Sequence, residues 1–202
     1  MTIKSFLFVL SSGSLLLVGA PHAAHGSARS CASFTFVVSN NYYYPITAAD
    51  LQTALNCAPL GSTIVLQTST AYAGSFQLPN KSGSGWVTVT SQSASLPAPA
   101  KRVSPSDLAS GHLAQLQIPA GGTSPLLYTA TGANHYQFIG IAFSTPQWVD
   151  TLIQLGSGRE TSTSQLPHHF TFDRCFFAGS AANGTKHGLL ANGDRVPRSL
   201  TI

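Results

Sequence analysis

Charge is scarce in this chain. Ten Lys and Arg and six Asp and Glu make up 8% of the 202 residues, against about 25% in an average soluble protein. So low a density is foreign to a cytosolic enzyme. It is not disorder either, because 43% of the residues are hydrophobic. The basic residues are scattered and make no stripe for nucleic acid, which is therefore not an expected partner. The acids are as dispersed: Asp150, Glu160 and Asp173 stand far apart, which argues against the oxygen cage of a calcium site. No Gly-x-Ser-x-Gly stands at a strand-to-helix turn, so Ser-His-Asp catalysis has no support, and Gly156-Ser157-Gly158 reads as a loop. Asn-Gly and Asp-Gly hairpin turns are nearly missing; Asn192-Gly193 leads into no recognisable partner strand. That counts against a β-sandwich or propeller.

Long apolar runs are missing too. Lys4 precedes Phe6-Leu7-Phe8-Val9-Leu10 and Leu15-Leu16-Leu17-Val18, with Ser11-Ser12-Gly13-Ser14 between them and small residues after. A membrane span needs about 20 unbroken apolar residues. The stretch reads instead as a signal peptide, residues 1–24, cleaved near Ala24 or Ala28. A secreted or extracytoplasmic location follows, at the cell surface or in the periplasm, with no membrane span after cleavage. Of the three cysteines, Cys31 and Cys57 are expected to form a disulfide tying the N-terminus to the first helix. Cys175 replaces an apolar residue of a repeat and is expected to be a buried, unpaired thiol.

What is present is a stretch that occurs twice. His135-Tyr136-Gln137-Phe138-Ile139-Gly140-Ile141-Ala142-Phe143 returns 34 residues later as His169-Phe170-Thr171-Phe172-Asp173-Arg174-Cys175-Phe176-Phe177. Tyr136 matches Phe170, Phe138 matches Phe172, Ile141 matches Cys175 and Phe143 matches Phe177. An offset of roughly 20–50 residues marks repeat architectures, and both copies alternate as strands do.

Along the chain, residues 25–46 hold a strand at Phe34–Val38 and a turn-rich connection from Asn40 to Pro45. Thr47 with Asp50 approximates a capping box, predicting a helix over 47–58 with Leu51 and Leu55 on one face, ended by Pro59 and Gly61. Short strands follow at 63–67, 75–78 and 86–90. A Ser-, Pro- and Ala-rich excursion spans 91–110, and more strands lead into the two copies and then Gly188–Gly193. The pattern predicts an all-β class: a right-handed parallel β-helix, or solenoid, over 47–193 with the helix at 47–58 as its N-terminal cap. Residues 194–202 carry no alternation and read as an irregular tail.

Two stretches also carry a resemblance. Asp50-Leu51-Gln52-Thr53-Ala54-Leu55 with Pro59-Leu60-Gly61-Ser62-Thr63-Ile64-Val65-Leu66 resembles the opening of secreted right-handed parallel β-helix proteins of the pectate-lyase-like superfamily, with Ser62 where Asp is usual. Phe76–Lys81, Trp86–Ser91, Lys101–Pro105 and His168–Cys175 resemble one secreted, mostly bacterial subgroup. The similarity spans about Thr47 to Gly193. It implies a protein that acts on or binds polysaccharide, as a lyase or hydrolase; the alternative is a non-catalytic surface or adhesion solenoid that binds glycan. Such proteins normally add more coils after the equivalent of Gly193, so the chain reads as truncated or frame-shifted.

The resemblance implies that a uronate lyase would use Arg or Lys as the base removing the proton next to the carboxylate. Arg174, Lys186, His187 and Arg195 are the candidates. Against this, Asp173-Arg174 reads as a solvated ion pair at a corner, and Lys186-His187 as part of a surface loop. His168-His169, like His135, stands before a copy; without further ligands at metal spacing these read as corner residues, and neither metal nor cofactor is expected. Tyr42, Tyr43, Tyr44, Trp86 and Trp148 are candidate sugar platforms, Trp148 above all. Phe138, Phe143, Phe170, Phe172 and Phe177 are read as a buried ladder.

Overall fold

The computed structural model describes residues 31, 33–68, 70–99, 101–192 and 200–201. The expected signal peptide, Arg195 and most of the expected tail lie outside the described residues.

The described chain opens with a hairpin, β1 (Val37–Ser39) antiparallel to β2 (Tyr42–Tyr44). Asn40 and Asn41 connect them with φ of 49° and 65°. Two consecutive left-handed residues are what a type I′ turn requires, and Asn adopts that region more readily than most. The turn-rich connection expected from Asn40 to Pro45 is thus partly a hairpin strand, its turn made by two asparagines without glycine.

Helix α1 (Ala48–Cys57) begins at Thr47, which forms a reciprocal capping box with Asp50. Its Leu51, Ala54 and Leu55 are buried, so the helix is stabilised by what it covers. A disulfide joins Cys57 to Cys31. Gln52 pins the helix to a neighbouring strand by a pair of hydrogen bonds: Nε2 donates to Gln77 O and Oε1 accepts from Gln77 N.

The remaining strands belong to three sheets. The largest runs β1, β2, β3 (Thr63–Leu66), β6 (Val87–Ser91), β9 (Asn134–Ile139), β12 (His168–Asp173) and β15 (Leu200–Thr201). The second holds β4 (Ala71–Ala73), β7 (Ala114–Gln117), β10 (Ile141–Ser144) and β13 (Phe176–Ala178). The third holds β5 (Phe76–Leu78), β8 (Leu127–Thr129), β11 (Thr151–Leu155) and β14 (His187–Ala191). Pairing beyond the first hairpin is parallel. Burial alternates along β3, β6 and β9, as one face of a pleated strand demands.

Inward-facing residues line up across the first sheet. Ile64, Val89, Phe138 and Phe172 form one row, and Val87, Tyr136 and Phe170 another. Phe138 stacks on Phe172 at 5.2 Å and Phe143 on Phe177 at 5.3 Å. Burying each such ring is worth about 1.5–3 kcal/mol. The excursion contains a short helix, α2 (Pro105–Ala109), which the sequence reading missed. Val103 and Leu113, which flank that helix, pack with Ala142 of β10.

The expected class, an all-β right-handed parallel β-helix with one capping helix, is corrected here. The strands form three separate short sheets, the largest of mixed pairing, and helix accounts for 11% of the structure. The physical reason lies in the connections. Ile64, Val89, Phe138 and Phe172 share a row yet stand 25, 49 and 34 residues apart. A stacked solenoid calls for a fixed period, and only the last of these intervals is the 34 of the matched copies. The tail was expected to be irregular, but Leu200–Thr201 pairs with β12 as a strand.

Candidate functional site

Two clusters stand out, at opposite ends of β9 and β12. The first is a cleft of ≈ 920 Å³ between the excursion and the outer face of the first sheet. Lys101, Arg102 and Pro105 line one side. Gln137 and Thr171, outward-facing neighbours on β9 and β12, form the floor, Asp173 and Arg174 close the end, and Phe172, Phe176 and Phe177 give it an apolar wall. Outward alternation places Gln137 and Thr171 there, and the Val103 anchor swings Lys101 and Arg102 over them.

Arg174 sits at a corner in the left-handed region, with φ of 50°. Its Nε and Nη2 donate to Asp173 Oδ2 at 3.0 and 2.7 Å, and its Nη1 donates to the Pro97 carbonyl at 2.9 Å. The guanidinium thus clips the excursion to the end of β12. Three basic side chains and one carboxylate leave the cleft basic. Cys175 also lines it and is a free thiol. Its sulfur faces the carbonyls of Phe138 and Asp173, and burial pushes the thiol up to about 12.

The other predicted residues fall elsewhere. Lys186 and His187, at the start of β14, share Asp150: Lys186 Nζ lies 3.1 Å from Oδ1 and His187 Nδ1 3.7 Å from Oδ2. Hydrogen bonds from Thr151 and then Lys186 hold the Asp150 carboxyl below its ordinary range. Neither basic group lines the cleft, so Arg174 is not brought together with them. Trp148 is 56% exposed, in the segment between β10 and β11, and also lies off the cleft. Tyr42 and Tyr44 are exposed and stack on each other at 6.5 Å, whereas Tyr43 is buried.

The second cluster is made by His135, His168 and His169. One ring nitrogen from each lies within 4.8 Å of the others. His135 and His169 stack nearly parallel at 4.4 Å and 4°. The 34-residue offset sets them side by side on paired strands, and both have left-handed φ, 59° and 57°. His168 stands almost perpendicular to both rings, and Trp86 presents an edge to each ring of the stack. Burial, and then the neighbouring imidazoles, hold His135 and His168 below the ordinary histidine range.

Sequence reasoning named Arg174 and all three histidines but did not bring the three rings together. It also missed Lys101, Arg102, Gln137 and Thr171 as one site. The available signals were the basic pair inside the excursion and the outward parity of Gln137 and Thr171. No family model matches the chain, and neither does any curated protein or solved structure.

Proposed function

We propose that the protein binds an acidic polysaccharide outside the cytoplasm, in the cleft between the excursion and the first sheet. The observation carrying this reading is the joint placement of Lys101, Arg102 and Arg174 around a floor of neutral polar Gln137 and Thr171. Cations meet the carboxylates or sulfates of such a chain, and amide and hydroxyl groups meet its hydroxyls. The resemblance to pectate-lyase-like proteins points to the same ligand class. The Cys31–Cys57 disulfide, the low charge density, and the lack of any described helix long and apolar enough to cross a membrane are compatible with an exported protein.

Binding is the form proposed, with turnover as the alternative the test separates from it. A uronate lyase needs a basic group free to take a proton. Of the bases the resemblance implies, Arg174 has three donors held by Asp173 and Pro97, and Lys186 and His187 stand beside Asp150 away from the cleft; Lys101 and Arg102 line the cleft and are exposed. The test is affinity electrophoresis through polygalacturonate, alginate, chondroitin sulfate and uncharged dextran, beside an absorbance assay for unsaturated uronate. Retardation by one or more acidic polymers but not dextran, weakened by Lys101→Gln with Arg102→Gln and by salt, is expected without new unsaturated product. Equal mobility in all four gels overturns the reading. Accumulation of unsaturated uronate restores the lyase alternative.

A further inference from the structure

We propose that His135, His168 and His169 form a binding site for a late first-row divalent transition ion, zinc or copper, with at least one coordination position left to water. The site is separate from the cleft: His135 and His169 stand two strand residues, about 7 Å, before the floor residues Gln137 and Thr171, and about 13 Å before Asp173 at the far end.

A metal-binding imidazole must be neutral and must aim a lone pair at the ion. The three rings already converge, with one nitrogen of each within 4.8 Å of the others. The tautomer of His135 follows from its neighbour. Asn134 is buried, and the two protons of its Nδ2 are directed at three oxygens, Asn80 Oδ1, Lys81 O and Gly132 O, one proton being shared between two of them. Its Oδ1 must therefore accept, and it lies 2.6 Å from His135 Nδ1. His135 carries its proton on Nδ1 and keeps the lone pair on Nε2. A fixed acceptor behind a ligating histidine is how metal sites orient that ring.

The other two rings share a proton. His168 Nδ1 and His169 Nδ1 stand 2.6 Å apart, so one donates and the other accepts. An ion takes the place of that bond when the donor ring's proton moves from Nδ1 to its own Nε2, which leaves both rings neutral and both Nδ1 lone pairs free for the ion. Tetrahedral coordination at about 2.0–2.1 Å brings ligand nitrogens to roughly 3.4 Å from one another. From separations within 4.8 Å, that calls for splaying the His135–His169 stack by rotation about the soft χ2 angles. Three imidazoles with no carboxylate suit zinc, copper or nickel and not calcium or magnesium.

The test uses the full chain. Zinc is titrated by calorimetry, and copper by quenching of Trp86 fluorescence in a Trp148→Phe background, where Trp86 is the remaining indole of the two. One equivalent of either ion is expected to bind, and calcium is not. The double variant His135→Asn with His169→Asn keeps a residue type tolerant of left-handed φ and retains His22, His25, His112, His168 and His187. Its affinity is expected to fall at least tenfold. Wild-type crystals soaked in zinc give a check that needs no variant: an anomalous peak among the three rings. Equal titrations of the wild type and a folded double variant overturn the proposal. So does zinc density confined to other positions, or no binding of zinc or copper to the wild type.

Discussion

The two copies of the repeated stretch have nearly the same pattern of apolar residues and unequal surroundings. In the first, β9 lies between β6 and β12, and β10 between β7 and β13. Ile141, Ala142 and Phe143 are completely buried. In the second, Cys175, Phe176 and Phe177 are only half-buried, and β13 ends the described part of its sheet. The burial of a strand is set by what lies on each side of it as much as by its own alternation. Equivalent residues in the two copies should therefore carry different weight.

The largest expected difference lies at the matched pair Phe143 and Phe177. Phe143→Ala empties a site enclosed on every side and is expected to cost about 3–5 kcal/mol. Phe177→Ala removes a ring that already meets solvent, at about 1–2 kcal/mol. Urea unfolding of both variants measures the gap. Equal losses would break the comparison and mean that the second copy is as well covered as the first.

A smaller effect separates the two corners. Gly140 and Arg174 hold equivalent positions with φ of 66° and 50°. The first copy places there the residue for which left-handed backbone is free. The second carries a side chain in the same conformation, offset by its bonds to Asp173 and Pro97. Gly140→Ala adds both the left-handed cost and a Cβ pressed against the Leu96 side chain; about 1–2 kcal/mol is expected. Arg174→Gly relieves the backbone while losing a partly solvated ion pair, so its cost is expected to be about 1 kcal/mol or less. Melting curves of the two variants test the order. A greater loss for Arg174→Gly would show that the guanidinium clip stabilises the excursion more than the corner geometry implies.

The corners also mark where legibility ended. Alternation and the 34-residue offset correctly placed Tyr136 against Phe170, Phe138 against Phe172 and Phe143 against Phe177, because inward parity and parallel register leave few other solutions. The Thr47–Asp50 capping box was equally legible, being local. The architecture was overextended from those copies, since unequal connections do not show in any one strand. The histidine cluster depends on two backbone angles and on His168 turning toward its neighbour. The cleft depends on where Val103 anchors the excursion. Both are tertiary facts with only weak local signatures.

The smallest effect is at Ile141 and Cys175. Below pH of about 9 the native and unfolded thiols are both protonated. Above it the unfolded thiol ionises, while burial keeps the native one protonated toward about 12. The native state then binds more protons, so the stability contributed by Cys175 is present below about pH 9 and is lost as pH rises through that window. Lys81, held down to about 8 by burial, acts with the opposite sign between about 8 and 10.5. The informative quantity is therefore the difference between wild type and Cys175→Ala, both of which keep Lys81, and that difference should shrink above pH 9. Alkylation at pH 8 gives an independent reading. A native thiolate population well below that in urea predicts slower labelling of the folded chain. Rapid labelling would mean that the second copy opens at its edge far more often than the first, and would sharpen the contrast between them instead of removing it.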